Sequence, residues 1–380
     1  MNTKKWIWQQ SDWPSFNYQL ASVLPELETV LRTVAPLSLL ASELEQNRQL
    51  NLESLILFNE TLASAKIEGE ILDRESVRSS IAKRLGLGEF NRTSRSTQAF
   101  VDVLLESVRH YQSPLTETQL YQWHHKIFYE KPILTTVLTG EYRHDSMQII
   151  SGAFGKQTVH FEAPCKNQAC VTQEMNQFLA WFNADNTHNH YTSPYIKAAI
   201  AKFWFVTIHP FDDGNGRLSR IIAERCLAGA EAGNKEEYKQ NGIRLYSISS
   251  EIEKNKKAYY SLLEQHQRST SLDLTEWIIW FLQQITSAAK ASMKQLEKVR
   301  FTTLFWDKNR ALSFNPRQTK LINRLLETDD FEQGISRKKY KSLARTTDIT
   351  AARDLKDLVD KHVLLPRGEG RARKYKLKIL

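Results

Sequence analysis

Between residues 209 and 220 the chain reads His209-Pro210-Phe211-Asp212-Asp213-Gly214-Asn215-Gly216-Arg217-Leu218-Ser219-Arg220. Gly214, Asn215 and Gly216 are the residue types that tolerate positive φ, so they suit a tight loop whose backbone N–H groups converge as an anion nest. Arg217 and Arg220 lie three apart, on one face of any helix that follows the loop. Two guanidinium groups beside a nest and a helix N-terminus suit a polyphosphate, because Arg grips phosphate oxygens in pairs. Asp213 stands where a hard cation such as Mg2+ could bridge a carboxylate to those phosphates. His209 opens the loop, and a side chain that titrates near neutral pH suits a general base. Phe211 matches neither role and is expected to be buried, locking the loop.

These residues need elements to position them. Ile196, Ala199, Ile200 and Phe203 repeat at helical spacing before the loop, and Leu218, Ile221 and Ile222 do so after it. The helical period dominates to about residue 300, there is no internal repeat, and the fold is expected to be mainly α. In the first segment, Leu20, Leu24, Leu27, Val30 and Leu31 give a helical stripe. A second helix is expected over about 50–69, with Leu52, Leu55, Phe58, Leu62 and Ile67 apolar and Gly69 ending it. A short helix should begin near Asp73. From Met147 to Pro164 two extended runs flank a glycine-containing turn, which reads as a β-hairpin. Gly152 to Lys156 lacks the spacing of a phosphate loop.

The chain has 380 residues and a net charge of +9. Residues 301–380 hold 19 Lys and Arg against 10 Asp and Glu, and the first 300 residues hold 33 of each, so the excess is C-terminal and points to an anionic partner there. No run of about 18 apolar residues suggests a membrane span. The N-terminus lacks the apolar run of a signal peptide, and the expected location is cytoplasmic. Cys165, Cys170 and Cys226 form no disulfide or zinc pattern and read as reduced thiols.

Residues 209–220 resemble the fingerprint of the Fic family of AMP transferases, His-x-Phe-x-Asp/Glu-Gly-Asn-Gly-Arg-x-x-Arg, at every specified position. The resemblance implies a helical Fic core in which His209 deprotonates a hydroxyl that attacks the α-phosphate of ATP. Asp213 would bind Mg2+. Gly214, Asn215, Gly216, Arg217 and Arg220 would hold phosphates. The hairpin sits where the family has a flap that holds a target segment by strand addition. Tyr259 and Tyr260 resemble a pair near the adenine, with ordinary helix packing left open as the alternative. Gly140-Glu141-Tyr142-Arg143 also looks like the family. Ser64-Ala65-Lys66-Ile67-Glu68-Gly69 is similar to the family's inhibitory pattern. A carboxylate at a helix C-terminus opposes the helix dipole, and Ser64 and Glu68 share a face. The resemblance therefore implies a brake in which Glu68 pairs with Arg220.

In the last segment, helices are expected over 318–326, 336–344 and 350–362, then a strand at 363–366, a glycine turn, and a strand over 371–379. Three short helices and a basic hairpin outline a winged helix, with Thr350 capping the third helix. Arg353 and Lys356, with Arg367, Arg371, Arg373 and Lys374 on the wing, would face DNA, with a protein-docking or dimer role as the alternative for this module. The expected domains are 1–88, helical with the inhibitory helix; 89–298, the Fic core; and 299–380, the winged helix. The expected activity is protein adenylyltransfer onto a Ser, Thr or Tyr hydroxyl of a target or of the chain itself. The alternative is a winged-helix transcription regulator whose core senses nucleotide without turnover. Relatives can move other phosphate-linked groups, but Arg217 and Arg220 favour a triphosphate donor. A homodimer is left open as a partner.

Overall fold

The computed structural model describes residues 5–87, 94–128, 137–152, 158–184, 193–232, 243–327, 331, 333–370 and 373–378. The chain divides into two compact units, Met1–Ser292 and Met293–Leu380. The first contains α1 (Leu20–Ser42), α2 (Gln46–Ile67), α3 (Arg74–Leu85), α4 (Arg95–Arg109), α5 (Glu117–Phe128), the strands β1 (Gln148–Ser151) and β2 (Thr158–Glu162), then α6 (Gln168–Asn183), α7 (Pro194–Ile208), α8 (Asn215–Ala232), α9 (Ile248–Lys254) and α10 (Lys256–Gln267). The division falls within α11 (Thr275–Lys308).

α7 is the centre of the first unit. Every residue from Tyr195 to Ile208 is buried except the half-buried Lys197. A helix apolar on all sides belongs inside a bundle, and Phe203, Phe205 and Ile208 have no exposure at all. Leu57 and Phe58 of α2 and Val77 and Ile81 of α3 join the same apolar core as α4–α8. α2 is thus one of the core's own layers. It begins at Gln46, earlier than the pattern suggested, and Leu55 is exposed while Ile56 and Leu57 are buried. Gly69 ends it with φ 81°. Asp73 caps α3, accepting from Ser76 N at 2.6 Å.

α1 corrects an expectation. Leu20, Leu24 and Leu31 are exposed, and the buried face is Val23, Val30, Val34, Leu37 and Ala41. Both sets recur at helical spacing, and only packing selects between them. A second correction concerns the cysteines. Cys165 and Cys170 are joined in a disulfide, with Cα atoms 5.4 Å apart. Asn167 caps α6 by accepting from Cys170 N at 3.0 Å, and this turn brings the two residues together.

β1 and β2 pair antiparallel as the expected hairpin, with an irregularity between Ile149 and Ile150. Its tip, including the Gly152–Lys156 turn beyond Gly152, lies outside the described residues.

Buried charge fixes the end of α8. Arg244, about 1% exposed, lies between Glu224 and Glu231 and pairs with both. Glu231 also accepts from Leu245 N at 3.0 Å. Removing the cation strands two buried carboxylates, so Arg244→Met should cost about 3–5 kcal/mol in a urea unfolding experiment. A loss under about 1 kcal/mol would show that the carboxylates find water or protons instead.

The second unit holds α12 (Pro316–Glu327), β3 (Ile335–Ser336), α13 (Arg337–Ala344), α14 (Asp348–Asp360), β4 (Leu364–Arg367) and β5 (Lys374–Leu377), with the strands in the order β3-β5-β4. The three helices and the hairpin are where the pattern put them. The two-residue β3 was not anticipated, because two residues show no alternation. α14 is capped by Thr347, which accepts from Thr350 N at 3.2 Å, and not by Thr350. Leu321, Ile322, Ile335, Tyr340, Leu355 and Leu358 form its core.

Candidate active site

At the end of α7 the chain turns sharply: His209 adopts a left-handed backbone with φ 52°. That conformation is costly for a residue with a side chain and persists only where its surroundings hold it. Arg143, about 1% exposed, supplies the hold. Its Nε donates to His209 O at 2.8 Å, its Nη1 to Cys165 O at 2.7 Å, and its own N–H to Pro210 O at 2.9 Å. From the other side comes His124. Gly140 N–H donates to its Nδ1 at 3.1 Å, so Nε2 carries the proton and donates to Asp213 O at 3.1 Å. Phe211 is buried as expected, stacked on His124 with ring centroids 4.2 Å apart.

Asn215 finishes the loop. Its Oδ1 accepts from Phe211 N at 2.9 Å and its Nδ2 donates to Phe211 O at 2.7 Å. Its side chain therefore braces the loop, which leaves only its backbone for the phosphate contact expected of it. A Cβ at Gly214 (φ 80°) would lie 2.3 Å from Phe128 Cε2, and one at Gly216 would lie 2.3 Å from Glu68 Oε1. Gly216 thus shows where the Glu68 carboxylate sits: against the start of α8.

Glu68 is the C-cap of α2. Arg220 Nη2 donates to Glu68 Oε1 at 2.7 Å, and Arg220 Nε to Ser64 Oγ at 2.8 Å. Burial raises the Glu68 carboxyl's pKa, but Arg220, with Arg217 and Lys202, outweighs that, and the net shift is downward. The pair is ionised at neutral pH. Arg217 is engaged as well. Its Nη1 donates to Glu70 Oε2 at 3.0 Å, and its guanidinium lies 4.6 Å from the Phe128 ring centroid. Both arginines of the fingerprint are therefore paired with carboxylates from the end of α2. Glu70 was not singled out from the sequence. It lies beyond Gly69, whose left-handed turn lets two carboxylates two residues apart face one loop, and helical spacing gives no such signal.

The His209 ring is half-buried, with Nδ1 3.1 Å from Val206 O. Nδ1 therefore carries the proton and Nε2 is the basic nitrogen. Burial drives its pKa down to about 4, so the ring is neutral at pH 7. His209, Glu68 and Gly216 line one cavity of about 480 Å³ with Ile149, His160, Tyr259 and Tyr260. Tyr259 is about 2% exposed, and its Oη accepts from Lys202 Nζ at 2.8 Å. Tyr260 is more open, with its hydroxyl 3.5 Å from Ile67 O. Lys202, unforeseen, is fully buried under this wall, and its pKa is pushed well below the usual range, chiefly by burial and then by Arg220.

Asp213 Oδ1 accepts from Gly214 N at 2.6 Å. Among the described residues no group of three or more His, Cys, Asp or Glu could hold a metal ion alone. A single carboxylate is still a donor that suits Mg2+, which commonly completes its shell with phosphate oxygens and water.

Residues 114–227 match the Fic/DOC family, and residues 6–87 match a domain of unknown function (DUF4172). Over 56 residues the chain is 41% identical to the protein adenylyltransferases Fic of Drosophila melanogaster and of Aedes aegypti, a stretch covering 15% of this chain and 11% of each of those proteins. The chain thus matches about a tenth of the length of these relatives. The crystal structure of a Fic family protein from Desulfovibrio desulfuricans shares the fold, with TM-score 0.55 at 18% identity, covering 96% of this chain and 98% of that one. No helix among the described residues is long and apolar enough to cross a membrane. With the loop geometry, the family match and the shared fold in agreement, residues 114–227 of this chain form a domain of the Fic/DOC family.

Proposed function

We propose that this protein transfers AMP from ATP to a hydroxyl of a target protein or of itself, and that the described state is braked. The observation that carries this is the Glu68 carboxylate lying on Gly216 and paired with Arg220, in the same cavity as a neutral His209. A carboxylate held on an anion nest by a phosphate-type arginine occupies the place of a terminal phosphate.

In the released state, Arg217, Arg220 and the loop amides hold the phosphates. Asp213 would hold Mg2+, which would supply charge neutralisation at the phosphates. Tyr259 and Tyr260 wall the base. The target's hydroxyl oxygen attacks the α-phosphorus, the bond from that phosphorus to the bridging oxygen of the β-phosphate breaks, pyrophosphate leaves, and the hydroxyl proton passes to His209 Nε2. Such transfer depends on alignment and charge neutralisation. The exposed β1 of the flap holds the target's backbone. The test is the wild type, Glu68→Gly, and Glu68→Gly with His209→Ala, each given Mg2+ and ATP labelled on the α-phosphate. Label on protein in the second sample only supports transfer, brake and base together. No label in any, with ATP still bound, rejects the transferase.

Glu70 is a secondary part of the brake. It is half exposed, and an exposed ion pair contributes under about 1 kcal/mol. Glu70→Ala should therefore raise label transfer about two- to five-fold, well below the effect of Glu68→Gly. A larger effect than Glu68→Gly would reverse the assigned order.

A second reading, a DNA-binding regulator whose core senses nucleotide, is favoured by one observation. Arg353 and Lys356 on α14 and Arg367, Arg373 and Lys374 on the β4–β5 hairpin are all exposed. Arg371 lies outside the described residues. Read as a winged helix, this unit would meet duplex DNA with α14 and the wing. The full chain should then shift a mixed-sequence duplex with a steep salt dependence, weakened in Arg353→Glu/Lys356→Glu. No shift, or one indifferent to salt, rejects it.

A further inference from the structure

The flap is a two-stranded hairpin, and an isolated one is marginal in water. Something must hold it in place. β1 does not, since all four of its residues are exposed, Ile149 by 40% and Ile150 by 46%. The outer edge of β2 is different. Trp8 Nε1 donates to Glu162 O at 2.7 Å, and Arg268 Nη2 donates to Val159 O at 2.6 Å. Two outward carbonyls of β2 are thus taken by side chains, one from the N-terminal residues and one from just past α10.

The same side chains lock each other. Arg268 lies 4.8 Å from the centroid of the Trp6 ring, and its Nε donates to Glu264 Oε1 at 3.0 Å. Trp6 meets Phe161 of β2 edge to face, with centroids 5.5 Å apart. Trp6, Phe161 and Ala163 are nearly fully buried and form a small apolar cluster, with Trp8, Met147 and Val159 against it. Phe161 and His160 of β2 line the His209 cavity, as does Glu264, whose Oε2 is 3.3 Å from His160 Nδ1.

We propose that Trp6 and Trp8, with Arg268, form a clamp that fixes β2 beside the cavity and leaves β1 as the flap's open edge for the target. These are positioning residues: none of the three lines the His209 cavity, and they act through β2. The clamp gives the first residues of the DUF4172 match a task at the flap, while the last part of the same match carries Glu68 and Glu70 to the phosphate loop. The transfer consequence rests on the function proposed above; the effect on the flap does not.

The test compares Trp8→Phe, which removes the indole donor and keeps a ring, Arg268→Gln, and Trp13→Phe as control, each in a Glu68→Gly chain. Trp13 Nε1 donates to Glu174 Oε2 at 3.0 Å, on α6 and not on β2, so its loss reports a general loosening of the N-terminus. Hydrogen exchange of the amides at 148–151 and 158–162 should quicken about five-fold in the first two variants and stay unchanged in the control. Unchanged exchange in Trp8→Phe and Arg268→Gln overturns the clamp, and so does equal quickening in Trp13→Phe. If the parent labels protein from α-labelled ATP, that transfer should fall about five-fold in the two clamp variants while ATP affinity by calorimetry changes less than about two-fold. Transfer as fast as in the parent overturns the clamp. A parent that labels nothing counts against the transferase, and exchange still decides the clamp.

Discussion

His209→Ala in a Glu68→Gly chain should lower AMP transfer by about 10²–10⁴-fold, the range for removing a positioned general base. ATP affinity should stay within about two-fold, because the phosphates are held by the loop amides, Arg217 and Arg220 and not by the imidazole. The expectation comes from tautomer and burial together. Nδ1 donates to Val206 O, so Nε2 is the lone-pair nitrogen, and burial puts the pKa near 4. The sign for pH follows. The base is active when neutral, so the rate should be flat across neutral pH and decline as pH falls through about 4. The Glu68 charge raises the His209 pKa, so Glu68→Gly should move this acid limb lower still. Transfer measured from pH 3.5 to 8, with stability checked at each point, settles the matter. An acid limb centred near the ordinary imidazole value of about 6.5 would mean that His209 is solvated in the working state. Unchanged transfer in the alanine variant would remove His209 from the chemistry.

Glu68→Gly should raise transfer by about ten- to a hundred-fold, the factor for a charge-assisted hydrogen bond of about 1.5–3 kcal/mol whose loss opens a site. Two contacts are released at once: the Arg220 pair at 2.7 Å and the carboxylate's approach to Gly216. Arg220, about 2% exposed, keeps Ser64 as a partner through Nε and Nη2, so it is not stranded and the chain should still fold. Glu68→Gln separates charge from bulk. It keeps the volume and weakens the ion pair, so it should activate less than glycine does. Because Arg220 holds the Glu68 carboxyl below its ordinary range, acidification to about pH 5 should not release the brake. Wild type matching Glu68→Gly at neutral pH would defeat the autoinhibition. Wild type that becomes equally active at pH 5 would instead overturn the lowered Glu68 pKa, since that behaviour needs a carboxyl with a raised one.

The release must also be local. α2 shares the core through Leu57 and Phe58, and Glu60 accepts from Ser249 N at 3.0 Å and from Ser247 Oγ at 2.9 Å. Detaching the helix would expose that apolar surface and strand a buried carboxylate, a cost far above that of moving one side chain.

Local features are written in neighbouring residues. Residues 209–220 are contiguous, so their types alone specify a loop, a nest and a helix face. The hairpin is legible because alternation and a glycine turn are short-range signals. The end of α2 is legible because Gly69 is where a left-handed residue must stop the helix. In the second unit the three helices carry their own periodicity, although the cap of α14 falls on Thr347 and not on Thr350. Tertiary structure decided what joins distant residues. Glu68 and Arg220 stand 152 residues apart and Trp8 and Glu162 stand 154 apart, and no spacing rule reaches that far. The resemblance supplied the first pair, but nothing in the sequence supplied Glu70 on Arg217, Lys202 under Tyr259, His124 behind Asp213, or the tryptophans on the flap. α1 shows the same limit within one helix. Two apolar stripes are written in it, and a period fixes that a face is buried but not which one, because that choice is made by the surface it packs against.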